Sequence, residues 1–270
     1  MKVLAFLIVC LFCSVPDLGA QEDSSFLLVR TYTGDIAGAA IDNLDNLYIV
    51  SSSGQVRKFG PGGDSLAVYN QVRNFGKLQT IDVSNPLKIL LFYKDFSTVV
   101  VLDRFLSGIA TIDLRQSAIL QPAAIGLSYD NNIWVFDEYD NKLKKLSEAG
   151  QLLSETPDFR VALNEGLRPQ KIINDNGFVY LADTANGVFV FDNYGTFKRK
   201  IPLTRWQSIS VSRNQVISTG TESITIFNTA TLLETQKRLP SFQPYHHSFT
   251  ASDKFVHFSP QQLQVFRVRY

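Results

Sequence analysis

Residues 39–63 read AAIDNLDNLYIVSSSGQVRKFGPGG, and this stretch decides the architecture. Ala39-Ala40-Ile41 is a short apolar run. Asn43-Leu44-Asp45-Asn46 follows, and Asn and Asp suit turns because their side chains bond the local backbone and tolerate left-handed conformations. Leu47-Tyr48-Ile49-Val50 is β-branched and aromatic, as a buried pleated surface requires. After Ser51-Ser52-Ser53-Gly54, a third run places Val56 and Phe59 around Arg57-Lys58. Gly60-Pro61-Gly62-Gly63 stops it, and Ser65-Leu66-Ala67-Val68-Tyr69 is a fourth strand. No run has the length or the 3.6-residue period of a helix.

The unit recurs. Its openings end at Ile41, Ile81, Ile125, Ile172, Ile209 and Phe249, with spacings of 40, 44, 47, 37 and 40 residues. A period near 40 is the signature of propeller blades, each a four-stranded sheet around a central channel. Turn residues follow each opening, among them Ser84-Asn85-Pro86, Asp130-Asn131-Asn132 and Asn174-Asp175-Asn176-Gly177. Second and third apolar runs follow the turns. Fourth runs are more polar, as outer strands with a solvent edge should be.

The sixth unit reaches Tyr270 with only three strands. Ser25-Phe26-Leu27-Leu28-Val29-Arg30 precedes the first unit without a partner, so it is expected to complete the last sheet and remove an exposed edge at the seam. The prediction is an all-β, six-bladed β-propeller over residues 21–270, closed by its N-terminal strand. Five or seven blades, or an unusually large two-sheet sandwich, are the alternatives.

IDNLDNLYIVSSSGQVRKFGPGG and FVYLADTANGVFVFDNYG resemble NHL-type β-propeller repeats. Leu47-Tyr48-Ile49-Val50 matches the family pattern, as do Tyr180-Leu181-Ala182-Asp183 and Asn186. Units two, five and six depart from it: Lys94-Asp95 follows the second strand of unit two, and unit five has only Thr219-Gly220. The resemblance implies architecture alone, since such propellers host binding, scaffolding and hydrolysis alike.

Residues 1–20 carry Lys2, an apolar run of 11 residues from Val3 to Cys13, and small residues up to Ala20. That run is too short to span a bilayer, and the pattern predicts a secretory signal peptide cleaved after Ala20. The product is then periplasmic or extracellular, a monomer or part of a larger envelope assembly. Cys10 and Cys13 both lie in the leader, so the mature chain has no disulfide, thiolate metal site or cysteine nucleophile. Stability must come from the core, which about 250 residues can supply. Lys and Arg total 26 against 25 Asp and Glu, a net charge of +1, which suggests neither a nucleic-acid surface nor a membrane-binding basic patch.

The positions opening each first strand are Ala39, Gln79, Ala123, Gln170, Gln207 and His247. Gln79, Gln170, Gln207 and His247 would form a neutral polar collar that binds a peptide, glycan or small polar ligand, or is solvated by ordered water. The longest insertion, residues 157–168, carries Phe159, Arg160 and Arg168. With Arg205, Trp206 and Tyr245 it supplies the aromatic and Arg anchors usual in interfaces; a short helix capping the fourth opening is the other reading. Asp137, Asp140 and Asp183 are candidate oxygen ligands for calcium, although no Asp-rich calcium loop motif is present. Adjacent His246 and His247 point to opposite faces of a strand, and with His257 the remaining histidine a multi-histidine zinc site is excluded. His247 with Asp137 or Asp183 is a candidate acid–base pair. No P-loop, His-Glu-x-x-His or Gly-x-Ser-x-Gly motif occurs.

Two functions follow as expectations. One is an exported, non-catalytic propeller with no cofactor, binding a protein, peptide or envelope polymer such as a glycan. The other is a metal-dependent hydrolase or lyase on the same face, similar to gluconolactonase-like propellers. That class requires inward carboxylate and Asn ligands where this collar offers glutamine.

Overall fold

Each apolar run becomes a strand. The computed structural model describes residues 26–70, 75–240 and 246–268, and among these twenty-four strands form six four-stranded antiparallel sheets. Blade one is β2 (Gly38–Ile41), β3 (Leu47–Val50), β4 (Val56–Phe59) and β5 (Ser65–Tyr69). Blade two is β6 (Thr80–Asn85), β7 (Lys88–Tyr93), β8 (Thr98–Asp103) and β9 (Gly108–Asp113). Blade three is β10 (Pro122–Leu127), β11 (Ile133–Asp137), β12 (Lys142–Leu146) and β13 (Leu152–Glu155). Blade four is β14 (Lys171–Asp175), β15 (Phe178–Asp183), β16 (Gly187–Asp192) and β17 (Phe197–Ile201). Blade five is β18 (Ser208–Ser212), β19 (Gln215–Thr219), β20 (Ser223–Asn228) and β21 (Glu234–Arg238).

Blade six contains β22 (His247–Ala251), β23 (Lys254–Phe258) and β24 (Gln262–Val268), and its outer strand is β1 (Phe26–Thr33). Phe26 pairs with Val268 and Tyr32 with Leu263, with a bulge between Leu28 and Arg30. The chain's first described strand therefore closes the ring, as expected. The leader expected over residues 1–20 lies outside the described residues.

Second strands are buried on both faces because each blade is sandwiched between two others, which is why they read as unbroken apolar runs. In β7, Leu91 and Tyr93 pack with Tyr48 and Val50 of blade one. The alternate residues Leu90 and Phe92 pack with Ile125 and Val135 of blade three. Trp134, Phe136, Ile172 and Leu181 fill the gap between blades three and four. Val256 and Phe258 pack on Leu47 and Ile49 across the seam. The outer strands β13, β17 and β21 are largely exposed.

The turn chemistry of the opening stretch is carried by Asp42. Its Oδ1 accepts the backbone N–H groups of Leu44 and Asn46, both at 2.9 Å, and its Oδ2 accepts the Tyr48 hydroxyl at 3.0 Å. Asp45 takes the left-handed conformation, with φ of 64°, which Asp tolerates better than most residues.

Candidate functional site: the central channel and its loop face

The innermost strands enclose a channel of about 960 Å³. Strand alternation sets what faces it. In β14, Ile172 belongs to the core, while Lys171, Ile173 and Asp175 are half-buried along the channel wall. In β18 the wall residues are Ser208, Ser210 and Ser212, and in β22 they are His247, Phe249 and Ala251. Pairing with the second strands aligns the blades. Lys171 lies opposite Ala182, Ser208 opposite Thr219 and His247 opposite Phe258, so these three occupy equivalent positions near the mouth. Gly38, Thr80 and Ala124 are their counterparts in blades one to three. Asp82 sits two residues deeper, equivalent to Gly126 and Ile173.

An innermost strand has one unpaired edge, and side chains of neighbouring blades satisfy part of it. Asp82 Oδ2 accepts the Leu127 N–H at 2.7 Å, and its Oδ1 accepts that of Ser84 at 2.8 Å. Asn174 Oδ1 accepts the Tyr129 N–H at 2.7 Å. Lys171 Nζ donates to the Ile209 carbonyl at 2.9 Å. Burial pushes the Lys171 ammonium's pKa down, with Asp82 opposing that shift. Burial likewise pushes the Asp175 carboxyl up. Both shifts express the same cost of holding charge away from bulk water.

The predicted collar residues Gln79, Gln170, Gln207 and His247 all line this one channel. Their register differs from expectation. Gln79, Gln170 and Gln207 donate their backbone N–H to the second strand just before the first strand begins, and Ala37 does the same in blade one. Ala37 rather than Ala39 is therefore the glutamines' counterpart, and His246 rather than His247 precedes β22. His247 instead starts the ladder and stacks on Phe258, with ring centres 5.3 Å apart. Gln170 is held in its loop, its Nε2 bonded to the Arg168 carbonyl and its Oε1 accepting the Thr184 N–H at 2.8 Å.

The expected partner anchors separate. Phe159 is not an exposed anchor: it is 2 % exposed and stacks between Phe136 and Phe191, at 6.2 and 4.9 Å. It lies in α1 (Phe159–Ala162), the short helix of the alternative reading, whose N-cap Asp158 accepts the Arg160 N–H. Arg160 forms a two-pronged pair with Asp158. Arg168 is the open one, with its side chain 80 % exposed and Nε 3.2 Å from Glu138. Arg205 is exposed, and its backbone N–H bonds to Thr184. Trp206 lines the channel mouth and packs on the core of blades four and five, with its indole N–H buried and unpartnered among the described residues. Tyr245 lies outside the described residues.

The three candidate cation ligands do not share a site. Asp137 bonds to Lys144 and to the N–H groups of Leu120 and Gln121. Asp140 bonds to the same Lys144 at 2.7 Å. Asp183 accepts the N–H groups of Arg168, Ala185 and Asn186. Among the described residues, no three Asp, Glu, His or Cys side chains converge as a metal-binding group.

No protein-family model matches the chain, and no curated protein sequence matches it. Solved structures do match in fold. The Pan2 WD40 domain of Neurospora crassa is similar with a TM-score of 0.65 and 12 % identity, over 92 % of this chain and 97 % of that one. A streptogramin B lyase gives 0.59 and 16 %, over 86 % and 78 %. BamB of Moraxella catarrhalis gives 0.51 and 13 %, over 86 % and 83 %. The chain is a six-bladed β-propeller. At these identities the likeness shows the fold alone, and it spans proteins of different function. No helix among the described residues is long and apolar enough to cross a membrane.

Lys171, Asp82 and Ser208 were missed as wall residues. The available signal was a charged residue inside an innermost apolar run, as in Lys171-Ile172-Ile173, where alternation alone sends Lys171 toward the axis.

Proposed function

We propose that the protein is an exported, non-catalytic propeller that binds a protein, peptide or envelope polymer through its channel mouth and loop face. The observation that carries this reading is the state of the loop-face carboxylates. Asp137 and Asp183, the groups a metal ion or an acid–base pair with His247 would need, are held by Lys144 and by backbone N–H groups. What remains presented around the mouth is a binding surface: exposed Gln79, Gln207, His247, Arg168 and Arg205, with Trp206 beside them. The leader sequence over residues 1–20 supports export.

Partner capture from an envelope extract tests the reading, with Arg168→Glu and Trp206→Ala combined. The double variant should lose the partner that wild type retains; equal capture removes this surface. The same reading expects identical melting with and without a chelator. A drop in melting temperature on chelation, with metal found by elemental analysis, would favour the metal-dependent hydrolase or lyase.

A further inference from the structure

The channel wall is chemically lopsided near its mouth. Blades four, five and six present Lys171, Ser208 and His247 at equivalent positions, blade two presents Thr80 and blade one Gly38, while Ala124 of blade three is buried in the core. Gly38, across the ring from Lys171, leaves room in front of the ammonium. Among the described residues the Lys171 ammonium donates to one group, the neutral Ile209 carbonyl at 2.9 Å. An ammonium has three donors, so two are left for another acceptor. Ser208 Oγ, in the next blade at the same height, is buried without a hydrogen-bond partner. A buried hydroxyl without a partner is costly, and a ligand acceptor would satisfy it. Asp82, whose charge favours the Lys171 ammonium, already has both carboxylate oxygens on backbone N–H groups.

We propose that the channel mouth is a carboxylate-binding site, in which Lys171 and Ser208 together hold the two oxygens of a monoanionic ligand. The inference rests on the channel being the ligand-receiving part of the binding propeller. A carboxylate fits the donor set because it offers two acceptor oxygens and one charge. A dianion fits less well: beside Lys171 and Lys77, three carboxylates, Asp42, Asp82 and Asp175, share the wall. The burial that pushes the Asp175 carboxyl up is the same penalty a second negative charge would meet.

The test compares 4-phenylbutyrate with the isosteric neutral 4-phenylbutyramide, titrated against the intact mature protein at pH 7 by calorimetry. The acid is expected to bind with one-to-one stoichiometry and at least tenfold more tightly than the amide. Lys171→Gln should bring the acid to the amide's affinity and leave the amide unchanged. Because Lys171 also ties down Ile209, Ser208→Ala is the second variant, expected to weaken the acid several-fold without affecting the amide. Equal binding of both probes by wild type, an acid preference that survives Lys171→Gln, or no binding of either probe overturns the proposal. Tetra-alanine and its C-terminal amide then separate a peptide terminus from a small free acid as the source of the carboxylate. Equal binding of both probes would leave the broader binding reading standing; that reading falls separately, if partner capture ignores Arg168→Glu with Trp206→Ala.

Discussion

Asp137 and Lys144 meet at 2.9 Å inside blade three, their side chains 1 % and 6 % exposed. Asp137 also holds the N–H groups of Leu120 and Gln121, which fixes the connection into β10. Removing one partner of such a buried pair leaves an uncompensated charge and typically costs about 3–5 kcal/mol. Asp137→Ala should lose that amount in denaturant unfolding, and Lys144→Met a comparable amount. Asp137→Asn with Lys144→Met should recover part of the loss, because the deeper charge is removed and only the partly exposed Asp140 carboxylate loses its partner. Burial alone would raise the Asp137 pKa, but the Lys144 bond and the two N–H groups outweigh it and hold it below the ordinary carboxylate range. The sign follows: this stabilisation is full above about pH 4, the unfolded value, and is lost as pH falls through the lower folded value. The double variant should lack that part of the acid limb.

Gly126 sits where β10 packs directly on Ile172 of β14. A Cβ there would lie 2.7 Å from the Ile172 carbonyl oxygen, a backbone atom that cannot swing away. Gly126→Ala should therefore force blades three and four apart and cost about 1–3 kcal/mol, the usual range for overpacking. Gly108, in outer strand β9, has nothing within 4 Å of the same added atom. Gly108→Ala should be neutral, or stabilising by about 0.4–1 kcal/mol through the unfolded state. Melting curves of the two variants side by side check the contrast.

The repeat was legible because every blade must bury both faces of its second strand, and that demand writes an apolar run every 40 residues or so. Ring closure was legible for a related reason: Phe26 and its neighbours form a strand with no partner nearby in sequence. The channel wall was harder to read. Its organising contacts join residues about one blade apart, 45 positions for Asp82 with Leu127 and 38 for Lys171 with Ile209. Local chemistry does not reveal such pairs. The one-residue error at His247 has a different origin. Nothing in the sequence marks where a ladder begins, and a slip of one residue exchanges the two faces of a strand.

Phe159 shows how a loop misleads. In sequence, an aromatic beside Arg160 reads as an interface anchor; in the fold, α1 turns the ring between Phe136 and Phe191. Phe159→Ala should destabilise the protein by about 3–5 kcal/mol, the range for truncating a core aromatic. Arg160→Ala removes an exposed pair with Asp158 and should change stability by about 1 kcal/mol or less. Equal effects from the two would contradict the burial of Phe159.

His257 makes the fold sensitive to mild acid in a way that Asp137 does not. Its Nε2 lies 2.6 Å from His246 Nδ1 and its Nδ1 lies 2.9 Å from Ser248 Oγ. Burial, and then the neighbouring His246, lower its pKa to about 4. An unfolded histidine titrates near pH 6.5, so between these values the unfolded chain binds the extra proton and the folded chain does not. Stability therefore rises with pH across this window: it is complete above about 6.5 and declines as pH falls toward 4, by a few kcal/mol at most. His257→Phe, which keeps a ring of similar breadth but cannot take a proton, should flatten the profile between pH 6.5 and 4 while leaving the Asp137 limb below it. Urea midpoints measured at half-unit steps of pH distinguish the two limbs. A His257→Phe profile parallel to wild type across that window would mean that the imidazole is not the group losing its place when acid is added.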